Sequence, residues 1–266
     1  MKSFTKIIII LILSALFSAV SSAQGQEIRI AAAADLKFVM AELSEKFEKR
    51  TGNKVSTTYG SSGNFFSQVQ NGAPFDLFFS ADIAYAKKLE TDGLAEPGTL
   101  YEYAVGRIVL WTPGDAQVDV TNQRWNALLD SRVQKIAIAN PENAPYGRAA
   151  VAALQKAGIY ERVKAKLVYG ENISQAAQFV QSANAEAGII ALSLASSPPM
   201  RGGKSWIIPE NMHPPIEQGA ILLKGAKNKD ASRALLDFVK SKEGRAILEK
   251  YGFVTHGADQ RSASPS

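Results

Sequence analysis

The sequence predicts an α/β fold with two lobes, each a mostly parallel sheet flanked by helices. Three observations support this prediction. Short apolar strands alternate with amphipathic helices, several strands run through small residues directly into a helix start, and a second series of such units follows the first. Alternation of this kind is typical of parallel sheets with helices on both faces. A ligand is therefore expected in a cleft between the lobes, at the helix-starting ends of the strands.

The first series begins with a strand at 28–34, followed by a helix whose apolar residues recur at helical spacing from Leu36 to Phe47. Asp35 stands where an N-cap belongs, and Gly52 stands where a C-terminal cap belongs. Two further units follow, with strands predicted at 54–59 and 75–79 and helices at 64–70 and 83–90.

The second series has the same character and is followed by elements that return to the first lobe. Its strands are predicted at 107–111, 135–139 and 188–192, and its helices at 147–157 and 174–182. A strand at 216–223 and helices at 231–239 and 244–251 then complete the first lobe. The second lobe is thus predicted to be an insertion in the first.

The N-terminus has the features of a secretory signal peptide. Lys2 and Lys6 precede an apolar run at 7–17, and Ser21 to Ala23 supply small residues for cleavage. The apolar run is shorter than the ~20 residues that span a bilayer. The predicted organisation is a signal peptide at 1–23, a first lobe at 24–104 and 216–253, a second lobe at 105–215, and a disordered tail at 254–266.

Composition limits the possible functions. The chain of 266 residues has no cysteine, which excludes disulfides, thiolate metal sites and a lipidated cysteine anchor, so we expect a freely soluble periplasmic protein. Its formal net charge of +5 falls to +3 when Lys2 and Lys6 leave with the signal peptide. Such a mild excess is not the clustered basic footprint of a nucleic-acid-binding protein, and we expect no nucleic-acid partner.

The small residues between strands and helices are candidates for anion binding. Ser61 and Ser62 precede a predicted helix, where unpaired N–H groups and the helix dipole attract an anion. Locally, the same residues fit an ordinary solvated turn equally well. Comparable small or polar segments at 141–147, 171–174 and 191–193 favour the anion clamp.

Catalysis is poorly supported by the sequence, and we predict that the protein is not an enzyme. Ser62 as a nucleophile needs a base, and both histidines, His213 and His256, are expected at the surface. No spacing indicates a metal site or a nucleotide-binding glycine motif, so neither a metal nor a cofactor is expected. Asp76 and Asp82 flank one strand, but Asp82 is predicted to cap the next helix. An exported serine hydrolase using Ser62 is kept as the alternative from another class.

Several motifs together resemble those of the periplasmic molybdate-binding proteins of ABC transporters, over about Glu27 to Phe253. The motifs are Ala-Ala-Ala-Asp-Leu at 32–36, Gly-Ala-Pro-Phe-Asp-Leu-Phe-Phe-Ser-Ala-Asp at 72–82, Asn-Pro-Glu-Asn-Ala-Pro-Tyr-Gly at 140–147, and Lys-Tyr-Gly-Phe at 250–253. The resemblance implies a type II periplasmic-binding-protein fold that captures molybdate, and also tungstate, for an inner-membrane ABC permease. We expect a monomer.

The resemblance also implies which residues contact the oxyanion. Ile173 would contribute its backbone N–H. A Tyr that many family members have aligns with Ala191 here, and the Tyr146 phenol would replace that donor. Ser193 is a less certain replacement for the same donor. Asp35 stands where many members have Ser, and we expect its carboxylate to cap its own helix and leave only its N–H for the ligand. The implied contact residues and their neighbours are Ala34, Asp35, Ser62, Gly63, Tyr146 and Ile173.

The identity of the oxyanion depends on Asp35. A site with donors alone favours a fully deprotonated ion such as molybdate, tungstate or sulfate, and cavity size must then reject sulfate. A carboxylate facing the ligand would instead accept the proton of hydrogen phosphate or arsenate. The alternative is therefore the same fold binding sulfate, phosphate or arsenate.

Overall fold

A computed structural model describes residues 25–255, which contain ten strands in two sheets and the helices around them. The predicted signal peptide lies outside the described residues, as does the predicted tail from residue 256 onward. The strands are β1 Glu27–Ala33, β2 Lys54–Gly60, β3 Leu77–Ser80, β4 Tyr101–Gly106, β5 Ile108–Thr112, β6 Ile136–Ala139, β7 Leu167–Gly170, β8 Ala187–Ala191, β9 Lys204–Ile207 and β10 Ile216–Leu222.

The helices lie between these strands, and within the described part of the chain none is long and apolar enough to cross a membrane. Short 3₁₀ segments occur at Ala34–Leu36, Arg124–Leu129, Lys164–Lys166 and Glu210–Met212. The α-helices are α1 Lys37–Thr51, α2 Ser62–Gln70, α3 Ile83–Thr91, α4 Val120–Gln123, α5 Pro145–Lys156, α6 Tyr160–Val163, α7 Ile173–Gln181, α8 Leu192–Ala195, α9 Lys229–Lys240 and α10 Lys242–Lys250.

The first sheet has the order β2-β1-β3-β10-β4, and its central strands β1, β3 and β10 are largely buried on both faces. Because side chains alternate along a strand, Ile28 and Ile30 of β1 join one apolar cluster and Ala31 joins another. The first cluster includes residues of α1, α9 and α10, and the second includes residues of α2 and α3. Helices thus cover this sheet on both sides, as predicted.

The second sheet has the order β7-β6-β8-β5-β9, and its strands share one large apolar cluster with α5 and α7. Each sheet is more mixed than the predicted mostly parallel arrangement. β1 is parallel to β2 and β3, and β6 is parallel to β7 and β8. β10 and β5, by contrast, are each antiparallel to both of their neighbours.

Strands that connect the sheets account for this mixed arrangement. The chain leaves the first sheet after β4 and enters the second at β5, and it returns between β9 and β10. A strand that enters from the other sheet runs opposite to its neighbours, and strand direction has no signature in hydrophobic periodicity. The lobe boundaries stay a prediction.

At the C-terminal end, Val254 exchanges two backbone hydrogen bonds with Val105, so regular pairing reaches one residue into the predicted disordered tail.

Candidate functional site

Strand-to-helix junctions from both sheets meet around one small cavity. In the first sheet these junctions follow β1 and β2, and in the second they precede α5 and α7. Gly63, predicted beside the site, does not line the cavity. The structure brings the other five predicted residues together around it: Ala34, Asp35, Ser62, Tyr146 and Ile173.

Three backbone N–H groups at this cavity are free to donate. Ser62, Tyr146 and Ile173 lie in the first turns of α2, α5 and α7, where a helix offers no acceptor of its own. The described residues supply no other acceptor to these three groups. Deeper N–H groups are already capped, because the Ser61 hydroxyl accepts from Asn64 and the Asn172 amide oxygen accepts from Ser174 and Gln175.

Ser61 and Ser62 have different roles although they are adjacent and both buried. Ser61 is the N-cap of α2. The Ser62 oxygen instead accepts a hydrogen bond of 2.9 Å from the N–H of Ala81, after β3. This contact fixes the hydroxyl while leaving its proton available. Ser62 can therefore donate through both its N–H and its hydroxyl.

The Asp35 side chain does not cap its own helix, so that prediction is wrong. Neither the 3₁₀ segment Ala34–Leu36 nor α1 receives a side-chain cap. Asp35 Oδ2 instead accepts hydrogen bonds from the Tyr146 hydroxyl at 2.9 Å and from Gln218 Nε2 at 2.8 Å. The residue is 1% exposed, and a carboxylate buried to this extent requires strong donors, which here come from distant segments.

Burial raises the pKa of the Asp35 carboxyl from an ordinary 3.8 to about 6, although hydrogen bonds from Gln218 and Tyr146 oppose that rise. Asp35 Oδ1 is buried without a hydrogen-bond partner among the described residues. Burial, reinforced by the charge of Asp35, also places the phenol pKa values of Tyr103 and Tyr146 well above their ordinary range. Both phenols therefore remain protonated near neutral pH.

The Tyr146 hydroxyl forms hydrogen bonds within the protein, whereas it was predicted to donate to the ligand. Its single proton is directed to Asp35, and its oxygen accepts from Gln218 Nε2 at 2.9 Å. Tyr146 thus reaches the cavity with a free N–H, while its hydroxyl organises the carboxylate beside it. The expected direct donation from phenol to ligand is not available in this arrangement.

Gln218 and Tyr103 are site residues that the sequence reasoning missed. Gln218 is fully buried on β10, and besides its two donated hydrogen bonds it accepts one of 2.6 Å from the Tyr103 hydroxyl. The available signal was the polar Gln218, directly before the apolar end of this strand at 219–222. Gly106 makes room for this network, since a methyl group there would overlap the Tyr146 hydroxyl and the Gln218 amide.

Other predicted residues connect the two sides of the cleft. The Gly63 N–H donates to the Asn143 carbonyl at 2.9 Å, so it is occupied. The Ser193 hydroxyl donates to the backbone carbonyl of Asp35 at 2.8 Å, instead of replacing the family Tyr donor at Ala191. These contacts hold the first and second sheets' segments together around the cavity.

A wider cleft lies next to the cavity and includes Asp82 and Arg148. Arg148 pairs with Asp82 at 2.5 Å across it, whereas no Lys or Arg lines the small cavity. Asp82 also caps α3 through the Ala84 N–H, as predicted. Asp76 accepts from backbone N–H groups of Arg29 and Lys227, which is a structural role.

The described residues do not show the Ser–base pair that a serine hydrolase needs. The Ser62 oxygen accepts a hydrogen bond from a backbone N–H, and within residues 25–255 no hydrogen bond joins the Ser62 hydroxyl to a His, Asp or Glu side chain. His213 is buried, contrary to the prediction, and its Nδ1 lies 2.8 Å from the Pro214 carbonyl oxygen. His256 lies outside the described residues. Within residues 25–255, no cluster of His, Asp and Glu could hold a metal ion.

Comparisons with known proteins agree with this architecture. Residues 28–254 match the family described as bacterial extracellular solute-binding protein. The chain is 40% identical to the molybdate-binding protein ModA of Azotobacter vinelandii, covering 87% of this chain and 91% of that protein. It is 41% identical to ModA of Rhodobacter capsulatus, covering 88% and 90%. A solved structure, the periplasmic molybdate-binding protein of Azotobacter vinelandii, superposes with a TM-score of 0.81 at 30% identity, covering 86% of this chain and 100% of that one.

Proposed function

Because the chain belongs to the bacterial extracellular solute-binding protein family, we propose that it captures molybdate in the periplasm and delivers it to an inner-membrane ABC permease. Tungstate, nearly equal in size, is a second ligand of the same site. The protein acts as a monomer, without a cofactor and without catalysing a reaction. Its relatives named for molybdate binding support the choice of ligand.

The observation that carries this function is a buried cavity supplied with free donors and no cationic side chain. Helix N-termini and hydroxyls can bind an oxyanion without arginine or lysine. Capture of a scarce anion requires a sub-micromolar dissociation constant, which is more than about 8 kcal/mol. Hydrogen bonds to a charged group contribute roughly 1.5–3 kcal/mol each, so five or six exceed this after the costs of ordering.

We assign the donors as follows. Ser62 contributes its hydroxyl and its N–H, and Tyr146 and Ile173 contribute their N–H groups from the opposite side. We also place the backbone N–H of Ala34 in the ring, at the start of the 3₁₀ segment, whereas the N–H groups of Asp35 and Leu36 act on the Asp35 carboxyl. Gly63 is left out of the donor set, because its N–H is bonded to Asn143.

A second candidate is the same fold binding a protonated oxyanion such as hydrogen phosphate or arsenate. The buried Asp35 carboxylate favours it, because Oδ1 could accept the ligand's proton. Comparative calorimetry separates the two candidates.

The experiment is isothermal titration of the mature protein at neutral pH with molybdate, tungstate, sulfate and phosphate. Tight binding of molybdate and tungstate with negligible response to the other two is expected. Preference for phosphate would support the second candidate, and absence of oxyanion binding would reject both. Ser62→Ala should weaken molybdate binding at least about tenfold, since it removes a donor to a charged group. Ser67→Ala, at an exposed position of the same helix, is the matched control.

A further inference from the structure

We infer that Asp35 takes up one proton when the oxyanion binds and, as a neutral carboxyl, donates that proton to the ligand through Oδ1. This role rests on the proposed function and deepens it. Asp35 would then be a specificity-determining residue whose side chain changes from a repulsive charge to a hydrogen-bond donor.

The geometry leaves one carboxyl oxygen available for this role. Oδ2 is filled by the donors of Tyr146 and Gln218. Oδ1 is buried and accepts no hydrogen bond of normal geometry among the described residues, although the N–H groups of Asp35 and Leu36 lower the carboxyl pKa, and Asp35 itself lines the cavity with Ser62 and Ile173. A buried polar atom without a partner is costly, and a ligand oxygen sharing a proton with Oδ1 removes that cost.

The ligand's charge determines the direction of the proton. An ionised carboxylate beside a dianion is strongly unfavourable, because both carry negative charge in a site shielded from water. Protonation at Oδ1 removes the repulsion and adds a donor. The proton comes from the solvent, a single O–H bond forms on Asp35, and no bond of the oxyanion breaks.

Among the described residues, no cationic side chain contacts Asp35 and could offset the repulsion between its carboxylate and a bound dianion. Burial raises its pKa, and the groups that oppose this rise are the uncharged side chains of Gln218 and Tyr146 and the backbone N–H groups of Asp35 and Leu36. The Tyr103 phenol is the other titratable group acting on the network, and it stays protonated. The elements packed along Ala34–Leu36 are α1, α7, α8 and β2, and α5 and β10 reach the Asp35 carboxyl through Tyr146 and Gln218. On α5, Arg148 pairs with Asp82, and on β10, Glu217 is exposed.

The charged groups discussed on α1, α7, α8 and β2 either contact other side chains or lie away from Asp35. α7 and α8 contain no titratable residue. β2 brings Tyr59, whose pKa is raised by burial, and Lys54, which pairs with Glu48 at the other end of the strand. α1 begins with Lys37, whose ammonium lies over the Phe38 ring. Asp35 is therefore the group expected to exchange the proton.

The raised pKa of about 6 makes the uptake measurable near neutral pH. In the free protein Asp35 would be mostly ionised at pH 7, so binding should take up about 0.9 proton per ligand at pH 7 and about 0.5 at pH 6. Above pH 6, molybdate affinity should fall about tenfold for each pH unit.

The test is calorimetry of the mature protein with sodium molybdate in buffers of different ionisation enthalpy, repeated between pH 5.5 and 8. Molybdate is fully deprotonated near neutral pH, so it contributes no proton of its own there. Asp35→Asn should bind without proton uptake and with an affinity that does not depend on pH. Asp35→Ser provides a second variant lacking the carboxyl, should Asp35→Asn fail to fold. Glu171→Gln, at the exposed rim where Glu171 contacts Asn64, should retain the wild-type uptake.

The outcomes separate this role from the proposed function. Tight binding without proton uptake by the wild type overturns the role of Asp35 and leaves molybdate capture intact. Equal uptake in the wild type and Asp35→Asn assigns the proton elsewhere and also overturns it. Absence of molybdate binding by the wild type overturns both.

Discussion

The Tyr146 hydroxyl lies 2.9 Å from Asp35 Oδ2, and this hydrogen bond links α5, beside the second sheet, to the segment that follows β1 in the first. The two residues are 111 positions apart in the chain. Gln218 donates to both of them from β10, one of the strands next to a crossing between the sheets. The cavity, the cleft and the connecting strands therefore share one buried polar network.

Tyr146→Phe should weaken molybdate binding about tenfold, because it removes a hydrogen bond worth roughly 1–2 kcal/mol that joins the two sides of the cleft. The backbone N–H at this position remains, so binding should not be abolished. Calorimetry at neutral pH measures the effect. Tyr160→Phe, on the short helix α6 away from the cavity, is the control, and an equal loss of affinity in both variants would contradict the assigned role of the phenol.

Asp35→Asn should stabilise the ligand-free protein at pH 8. Because the folded pKa of about 6 lies above the ordinary 3.8, the stability contributed by Asp35 is full below pH 3.8 and is lost as pH rises through 6. The loss corresponds to about 3 kcal/mol. Urea unfolding from pH 5 to 8 should show the advantage of the variant growing with pH.

The matched control for this pH dependence is Asp237→Asn, an exposed carboxylate on α9. It should follow the wild-type pH profile. Parallel profiles for the wild type and Asp35→Asn would contradict a raised pKa at Asp35.

Gly106→Ala should disturb the buried network without touching the ligand. The added methyl group would overlap the Tyr146 hydroxyl and the Gln218 amide, so one of these side chains must move. We expect a stability loss of about 1–3 kcal/mol from overpacking, together with weaker molybdate binding. Gly225→Ala is the control, because no atom lies within 4 Å of a methyl group there. Denaturant unfolding and calorimetry on both variants provide the comparison, and wild-type behaviour of Gly106→Ala would refute the network's importance.

Gly63→Ala should hinder the close contact between the two sides of the cleft. Its methyl group would lie 2.9 Å from the Asn143 carbonyl oxygen, which is backbone and cannot rotate away. We expect a slower or incomplete decrease in radius of gyration on adding molybdate, measured by small-angle scattering. An unchanged scattering response would show that this contact is not required for closure. Gly225→Ala again provides the control.

Much of the fold could be predicted because its strand–helix units are encoded locally. Helix α3 begins at Ile83 behind the Asp82 cap, as the sequence indicated. β4, β7 and β9 were missed: each lies at a sheet edge, and β7 and β9 have only four residues, with exposed positions. Short edge strands carry little of the apolar pattern on which such prediction depends.

The candidate site was predicted where it depends on helix starts and missed where it depends on distant contacts. Ser62 and Ile173 lie at first turns, which the local sequence marks. Asp35 looked like a helix cap by the same local rule, yet its side chain bonds to Tyr146 and Gln218 instead. Gln218 is 183 positions away from Asp35, and sequence periodicity contains no information about such a pairing.

Crystallography with tungstate can show whether the oxyanion binds between the helix starts of the two sheets. Tungsten gives strong anomalous scattering, so the ion can be located without assumptions about the site. We predict one peak in the small cavity, with its oxygens within hydrogen-bonding distance of the Ser62 hydroxyl and the Ile173 N–H. A peak in the wider cleft beside Arg148, with the small cavity empty, would show that the helix starts do not form the oxyanion site.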